Sequence, residues 1–80
     1  MEKLKQGDYV TNLTKEQFDE LIEIEGHDIV FTFIAGLTNN IYVKRYFSGD
    51  ALLSCIKPNS PIQELPFEVF KERAINTFKG

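Results

Sequence analysis

Residues 28–57 read DIVFTFIAGLTNNIYVKRYFSGDALLSCIK, and the fold class turns on them. Asp28–Ala35 is dense in β-branched and aromatic residues, which pack well on a pleated surface and are crowded in a helix. Gly36-Leu37-Thr38-Asn39-Asn40 carries turn chemistry, and Ile41–Phe47 alternates as a second strand. Ser48-Gly49-Asp50 turns the chain again, and Ala51–Lys57 makes a third strand. Short turns between neighbours predict an antiparallel three-stranded meander over 28–57.

Upstream, Thr14 and Gln17 stand three residues apart as a capping box, with Leu13 and Phe18 placed as its hydrophobic staple. Phe18, Leu21 and Ile22 then share one face at helical spacing, and Gly26 suits a left-handed C-terminal stop. A helix is expected over 14–25. Residues 1–13 begin polar and turn extended at Tyr9–Leu13, an arm or a short extra strand. Downstream, Pro58, Pro61 and Pro66 disfavour helix in the residues before them. Residues 58–65 are therefore a loop with room for one helical turn after Ser60. Pro66 opens a last helix over 66–78, with Phe67, Phe70, Ala74 and Phe78 inside and Glu68, Glu72, Arg73 and Asn76 outside. No repeat or linker interrupts the 80 residues, so the reading is one α+β domain over 1–80, two-layered, in the order αβββα.

Alternation divides the strands into two faces. Ile29, Phe31, Phe33, Ile41, Val43, Arg45, Phe47, Ala51, Leu53 and Cys55 fall on the more apolar one, which is expected to take both helices. Val30, Thr32, Ile34, Tyr42, Lys44, Tyr46, Leu52, Ser54 and Ile56 fall on the other. That second face is too apolar for a water-facing surface. The 1–13 arm, a split of the helices between faces, a second copy of the chain or another protein could each cover it.

Composition narrows the function classes. At 42% hydrophobic and 26% charged residues, with seven Phe and three Tyr, the chain has the make-up of a folded domain rather than a disordered tail. No apolar run approaches the roughly 20 residues that cross a bilayer. The polar first 15 residues do not read as a signal peptide. One cysteine excludes an internal disulfide framework and fits a reducing cytoplasm, bacterial or of an infected host cell. A net charge of −3 argues against a general nucleic-acid or membrane-surface binder. A chain this short carries little core, which favours self-association or a partner.

The charge is uneven. Seven of the twelve acids and one of the nine bases fall in residues 8–28, a local −6 that leaves +3 on the remaining residues. Glu16, Asp19, Glu20 and Glu23 line the polar face of the first helix. They read either as an ordinary solvated face or as a docking face for a basic surface on another macromolecule. Tyr42, Lys44, Arg45 and Tyr46 interleave aromatics with bases, the pairing that stacks on and neutralises nucleic acid. Two bases make a small footprint, so nucleic acid is the alternative partner rather than the first.

Catalytic chemistry is poorly provided for. A nucleophilic site would need Cys55 beside His27 with a third orienting group. Cys55 is instead in phase with Leu53 as a small hydrophobe, and His27 follows the helix-ending Gly26. Glu25, His27 and Asp28 lack the three or four convergent ligands of a zinc site, and the isolated glycines form no phosphate loop. No cofactor, metal site or catalytic residue is expected.

Two resemblances accompany these residues. The helix–three strands–helix order across 14–78 is similar to that of double-stranded RNA-binding domains. Gly36-Leu37-Thr38-Asn39-Asn40 and Pro66-Phe67-Glu68-Val69 stand where that family carries its RNA-contacting turn and basic helix start, so its function does not follow. The pattern Leu13-Thr14-Lys15-Glu16-Gln17-Phe18, with Phe67-Glu68-Val69-Phe70-Lys71 and Asn76-Thr77-Phe78 late in the chain, resembles small accessory proteins of bacteriophages. That resemblance implies a protein that binds and redirects or inhibits a host or defence protein. Together the sequence features lead to the expectation of a non-enzymatic, homodimeric protein-interaction module. Its contact residues are expected to be Glu16, Asp19, Glu20 and Glu23 on the helix, and Val30, Ile34, Tyr42, Lys44, Tyr46, Leu52 and Ile56 on the sheet.

Overall fold

The signals around Thr14 act locally, and the first helix forms where they stand. In a computed structural model, which describes residues 2–26, 33–47 and 50–79, α1 spans Lys15–Glu25. The Thr14 side chain accepts the Gln17 N–H at 3.2 Å, and the Gln17 side chain accepts the Thr14 N–H at 3.0 Å. Gly26 ends the helix at φ 74°, a left-handed conformation that costs a residue without Cβ little. The last helix, α2, runs Phe67–Phe78 behind Pro66.

Among the described residues, four strands complete the α+β fold: β1 (Asp8–Val10), β2 (Ile41–Phe47), β3 (Asp50–Ser54) and β4 (Gln63–Glu64), in the spatial order β3-β2-β1-β4. β2 pairs antiparallel with β3 and with β1, whereas β1 pairs parallel with β4. The sheet is therefore mixed, and a pure meander is not what forms. The expected strand over 28–35 lies outside the described residues for 28–32, and Phe33 and Ile34 are not in a strand. The N-terminal segment, expected as an arm or a short extra strand, supplies a strand, and that strand fills an interior position of the sheet. Gly7 N–H donates to Val43 O at 3.0 Å, Gln63 N–H to Gly7 O at 2.9 Å, and Leu65 N–H to Tyr9 O at 2.8 Å. Those last two bonds draw 63–64 into a strand where a loop had been expected. Gly7 holds φ 94°, and a Cβ there would collide with the Pro61 carbonyl.

The core gathers Leu4, Val10 and Leu13 from the N-terminal segment, Phe18 and Leu21 from α1, Ile41 and Val43 from β2, and Phe70 and Ala74 from α2. Phe67 and Phe78 pack partly buried against it, so α2 presents its aromatic stripe inward. Asn76, expected outside, is buried because residues 2–5 lie along α2. Asn76 Nδ2 donates to Glu2 O at 2.8 Å, and the Leu4 N–H donates to Thr77 Oγ1 at 2.9 Å. Both polar side chains are thereby satisfied where the apolar Leu4 needs cover.

Candidate functional site

One loop holds two large aliphatic side chains, Ile34 and Leu37, in contact with solvent. Asn39 is buried, and its Nδ2 donates to Ile34 O and Leu37 O, each at 2.9 Å. Its Oδ1 accepts the Ile34 N–H at 3.0 Å, and its carbonyl accepts the Leu13 N–H at 3.1 Å. One amide thus meets the backbone polar groups of a loop that has no ladder of its own. Gly36 crosses the turn at φ 84°. Ile34 and Leu37 are left 54% and 65% exposed.

They line a concavity of about 230 Å³ together with Phe18, Thr38, Asn40 and Cys55. Cys55 was expected in the core beside Leu53, yet it is exposed. β3 ends at Ser54, whose hydroxyl accepts the Ile56 N–H at 3.0 Å and bends the chain out of the alternation. Ile56 is accordingly 66% exposed, and Leu52 on β3 is 46% exposed. Ile34, Leu37, Leu52 and Ile56 are large aliphatic side chains in contact with water, and two of them share this concavity.

Tyr42 departs from the expected open face. It is buried, with its ring stacked on Tyr9 at 5.1 Å between centroids and 24° between planes. The register sets Tyr9 opposite Tyr42 on one side and opposite Glu64 on the other. Tyr9 Oη donates to Glu64 Oε1 at 3.4 Å, Asn40 Nδ2 donates to Tyr42 Oη at 3.4 Å, and Thr11 Oγ1 bonds Asn40 Oδ1. Partial desolvation raises the Tyr9 phenol above the ordinary tyrosine range, and the Glu64 carboxylate adds to it through its charge and its hydrogen bond. A polar and aromatic strip covers this part of the sheet from within the chain itself.

A β-bulge separates Val43 from Arg45: Val43 pairs with Leu53 and Arg45 with Leu52, so Lys44 is the extra residue. Strict alternation had put Arg45 beside Val43 on the apolar face. The bulge instead leaves Lys44 and Arg45 both exposed. Tyr46 sits in β2 opposite Ala51. Val30 and His27 lie outside the described residues.

The acidic helix is less free than its sequence suggests. Asp19 pairs with Lys15 one turn earlier at 3.0 Å, and Glu20 reaches Lys71 of α2 at 2.9 Å. That hydrogen bond raises the Lys71 ammonium above the ordinary lysine range. Glu20 thus ties α1 to α2, while Glu16 and Glu23 stay exposed. All four carboxylates of the expected docking face are exposed, and two of them, Asp19 and Glu20, carry a lysine partner. Among the described residues, no group of three or more His, Cys, Asp and Glu side chains could hold a metal ion. No helix among them is long and apolar enough to cross a membrane.

The loop clamp at Asn39 was missed in the sequence, where Asn39-Asn40 read only as turn chemistry. The one available signal was a second Asn beyond what a tight turn uses. Compared with known proteins, the chain matches no family model, no curated protein and no solved structure at a significant level.

Proposed function

We propose that this chain is a non-enzymatic protein-interaction module, a homodimer that binds and modulates or inhibits a partner protein. The observation that carries the reading is the aliphatic rim of Ile34 and Leu37 around the concavity beside Cys55, with Ile56 next in the chain. Large apolar side chains held in water by a dedicated hydrogen-bonded loop are costly to a lone domain and useful at an interface. The contact surface is the loop end of the sheet rather than its second face, because Tyr9 covers Tyr42. Glu16 is an exposed carboxylate on α1, the helix that contributes Phe18 to the concavity, which favours a partner with basic residues around an apolar contact. A host or defence protein is the partner class implied by the resemblance to bacteriophage accessory proteins.

Affinity capture from a bacterial lysate, followed by mass spectrometry, tests the reading with variants of unchanged stability. Leu37→Asp and Ile56→Asp are exposed and should alter unfolding free energy by no more than about 0.5 kcal/mol. A protein retained by the parent chain and lost with both variants supports the interface. Retention by both variants removes it.

One observation favours nucleic acid instead: the bulge brings Lys44 and Arg45 side by side into solvent. Against it, the Tyr42 ring is stacked on Tyr9 and buried, so it is not open to a base. Gel shifts at two salt concentrations separate the readings, since phosphate contacts weaken steeply with salt. No shift at low salt ends the nucleic-acid alternative.

A further inference from the structure

The groove between α1 and α2 has walls of opposite charge. Glu20, Glu23 and Ile24 line it from α1, and Lys71, Ile75 and Lys79 line it from α2, around about 200 Å³. Ile75 is 40% exposed and Ile24 is half-buried, so the floor is apolar and partly open. Glu20 and Lys71 join the two walls at 2.9 Å. Glu23 and Lys79 are exposed, and neither has an oppositely charged partner within salt-bridge distance among the described residues.

We propose that a second copy of this chain docks in this groove, about a two-fold axis running along it. The proposal rests on the homodimeric reading above and adds the surface through which the copies meet. A two-fold axis along the groove lays the acidic wall of each copy over the basic wall of the other. Glu23 then faces Lys79 of the mate in two symmetric pairs, and the Ile75 floors meet between them. A partner of single charge sign would be repelled by one wall; a second copy brings both signs in the right order. The isologous contact closes at two copies and leaves no free end for a filament. Ile34 and Leu37 line a different concavity, with no residue shared between the two sets, so the dimer keeps the other surface available.

The test is a charge-swap series followed by sedimentation equilibrium at high micromolar concentration and two ionic strengths. The parent chain should associate to twice 9.2 kDa, more weakly at the higher salt. Glu23→Lys and Lys79→Glu should each weaken association by about tenfold, because each creates two like-charge contacts per dimer. The double variant Glu23→Lys/Lys79→Glu should recover to within about twofold of the parent. Circular dichroism of each variant confirms that these exposed changes leave the fold in place. A dimer indifferent to the single changes, or a double variant that stays weak, overturns the groove while the homodimer survives elsewhere. A parent chain that sediments as a 9.2 kDa monomer overturns both. Loss of lysate partners in the Leu37→Asp variant with the dimer intact shows that the two surfaces are separate, as proposed.

Discussion

Arg73 of α2 reaches Asp8 on the interior strand β1, with Nη1 3.2 Å from Asp8 Oδ2, and Asp8 is almost wholly shielded from water. The same carboxylate oxygen accepts the Lys5 N–H at 2.9 Å, and the other arm of Arg73 holds Glu2 Oε2 at 2.8 Å. The two partners are unequal. Arg73 has a second carboxylate in partial contact with water, whereas Asp8 has no second cation among the described residues.

That asymmetry predicts an unequal response to truncation. Arg73→Ala strands a buried carboxylate and should cost about 3 kcal/mol, whereas Asp8→Ala leaves Arg73 on Glu2 and should cost about 1–2 kcal/mol. Urea unfolding of both variants measures the difference. Equal losses, or a larger loss for Asp8→Ala, would show that the ion pair is not what holds β1 to α2.

Two glycines with positive φ should differ as sharply. At Gly7 a Cβ meets the Pro61 carbonyl and the backbone is left-handed, so Gly7→Ala should lose more than about 3 kcal/mol and release β4. At Gly36 nothing lies within 4 Å of the added carbon, so only the left-handed conformation is penalised, by about 1 kcal/mol. Hydrogen exchange at Gln63 and Leu65 reports the release directly. Protection that persists in Gly7→Ala contradicts the close approach.

Alkaline pH should weaken the Tyr9–Glu64 corner. The folded chain raises the Tyr9 phenol, chiefly by desolvation and then through Glu64, so the protonated form is favoured in the fold. Stabilisation of this kind is complete below the unfolded tyrosine pKa and is lost as pH rises through the higher folded value. Glu64→Gln removes the carboxylate charge and should bring the Tyr9 transition down toward the ordinary range. Ultraviolet titration of tyrosinate, with Tyr9→Phe to assign the transition, is the measurement. An unchanged titration in Glu64→Gln would mean that Glu64 contributes nothing to the shift.

What the sequence made legible was what short-range chemistry controls. Thr14, Gln17 and Gly26 are within one helix length of one another, and each acts on backbone groups it can reach without tertiary contacts. The placement of β1 was hidden for the opposite reason. Three residues, Asp8–Val10, are too few for an alternation pattern, and their hydrogen-bond partners come from Ile41–Val43 and Gln63–Leu65. The bulge at Lys44 did leave a trace, since strict alternation would have buried Arg45 next to Val43. An arginine in the apolar phase of a strand with no acidic neighbour is a reason to suspect a shifted register. Cys55 misled because the alternation of Ala51 and Leu53 continues through it on paper. The Ser54 hydroxyl, which captures the Ile56 N–H, stops the strand one residue earlier. Alternation placed Ile34, Leu52 and Ile56 on a face expected to be covered, and in the chain alone they stand exposed, whereas the cover over Tyr42 needed Tyr9, from a strand whose position was not readable.

The interior place of β1 also governs when the protein can begin to exist. Synthesis proceeds from the N-terminus at roughly 5–20 residues per second, so Leu4 and Asp8 emerge several seconds before Thr77 and Arg73, which hold them. Until then Leu4 lacks the Thr77 hydroxyl that takes its N–H, and the Asp8 carboxylate lacks the Arg73 guanidinium. A nascent chain that stops short of α2 therefore lacks the tie that joins residues 4 and 8 to residues 77 and 73.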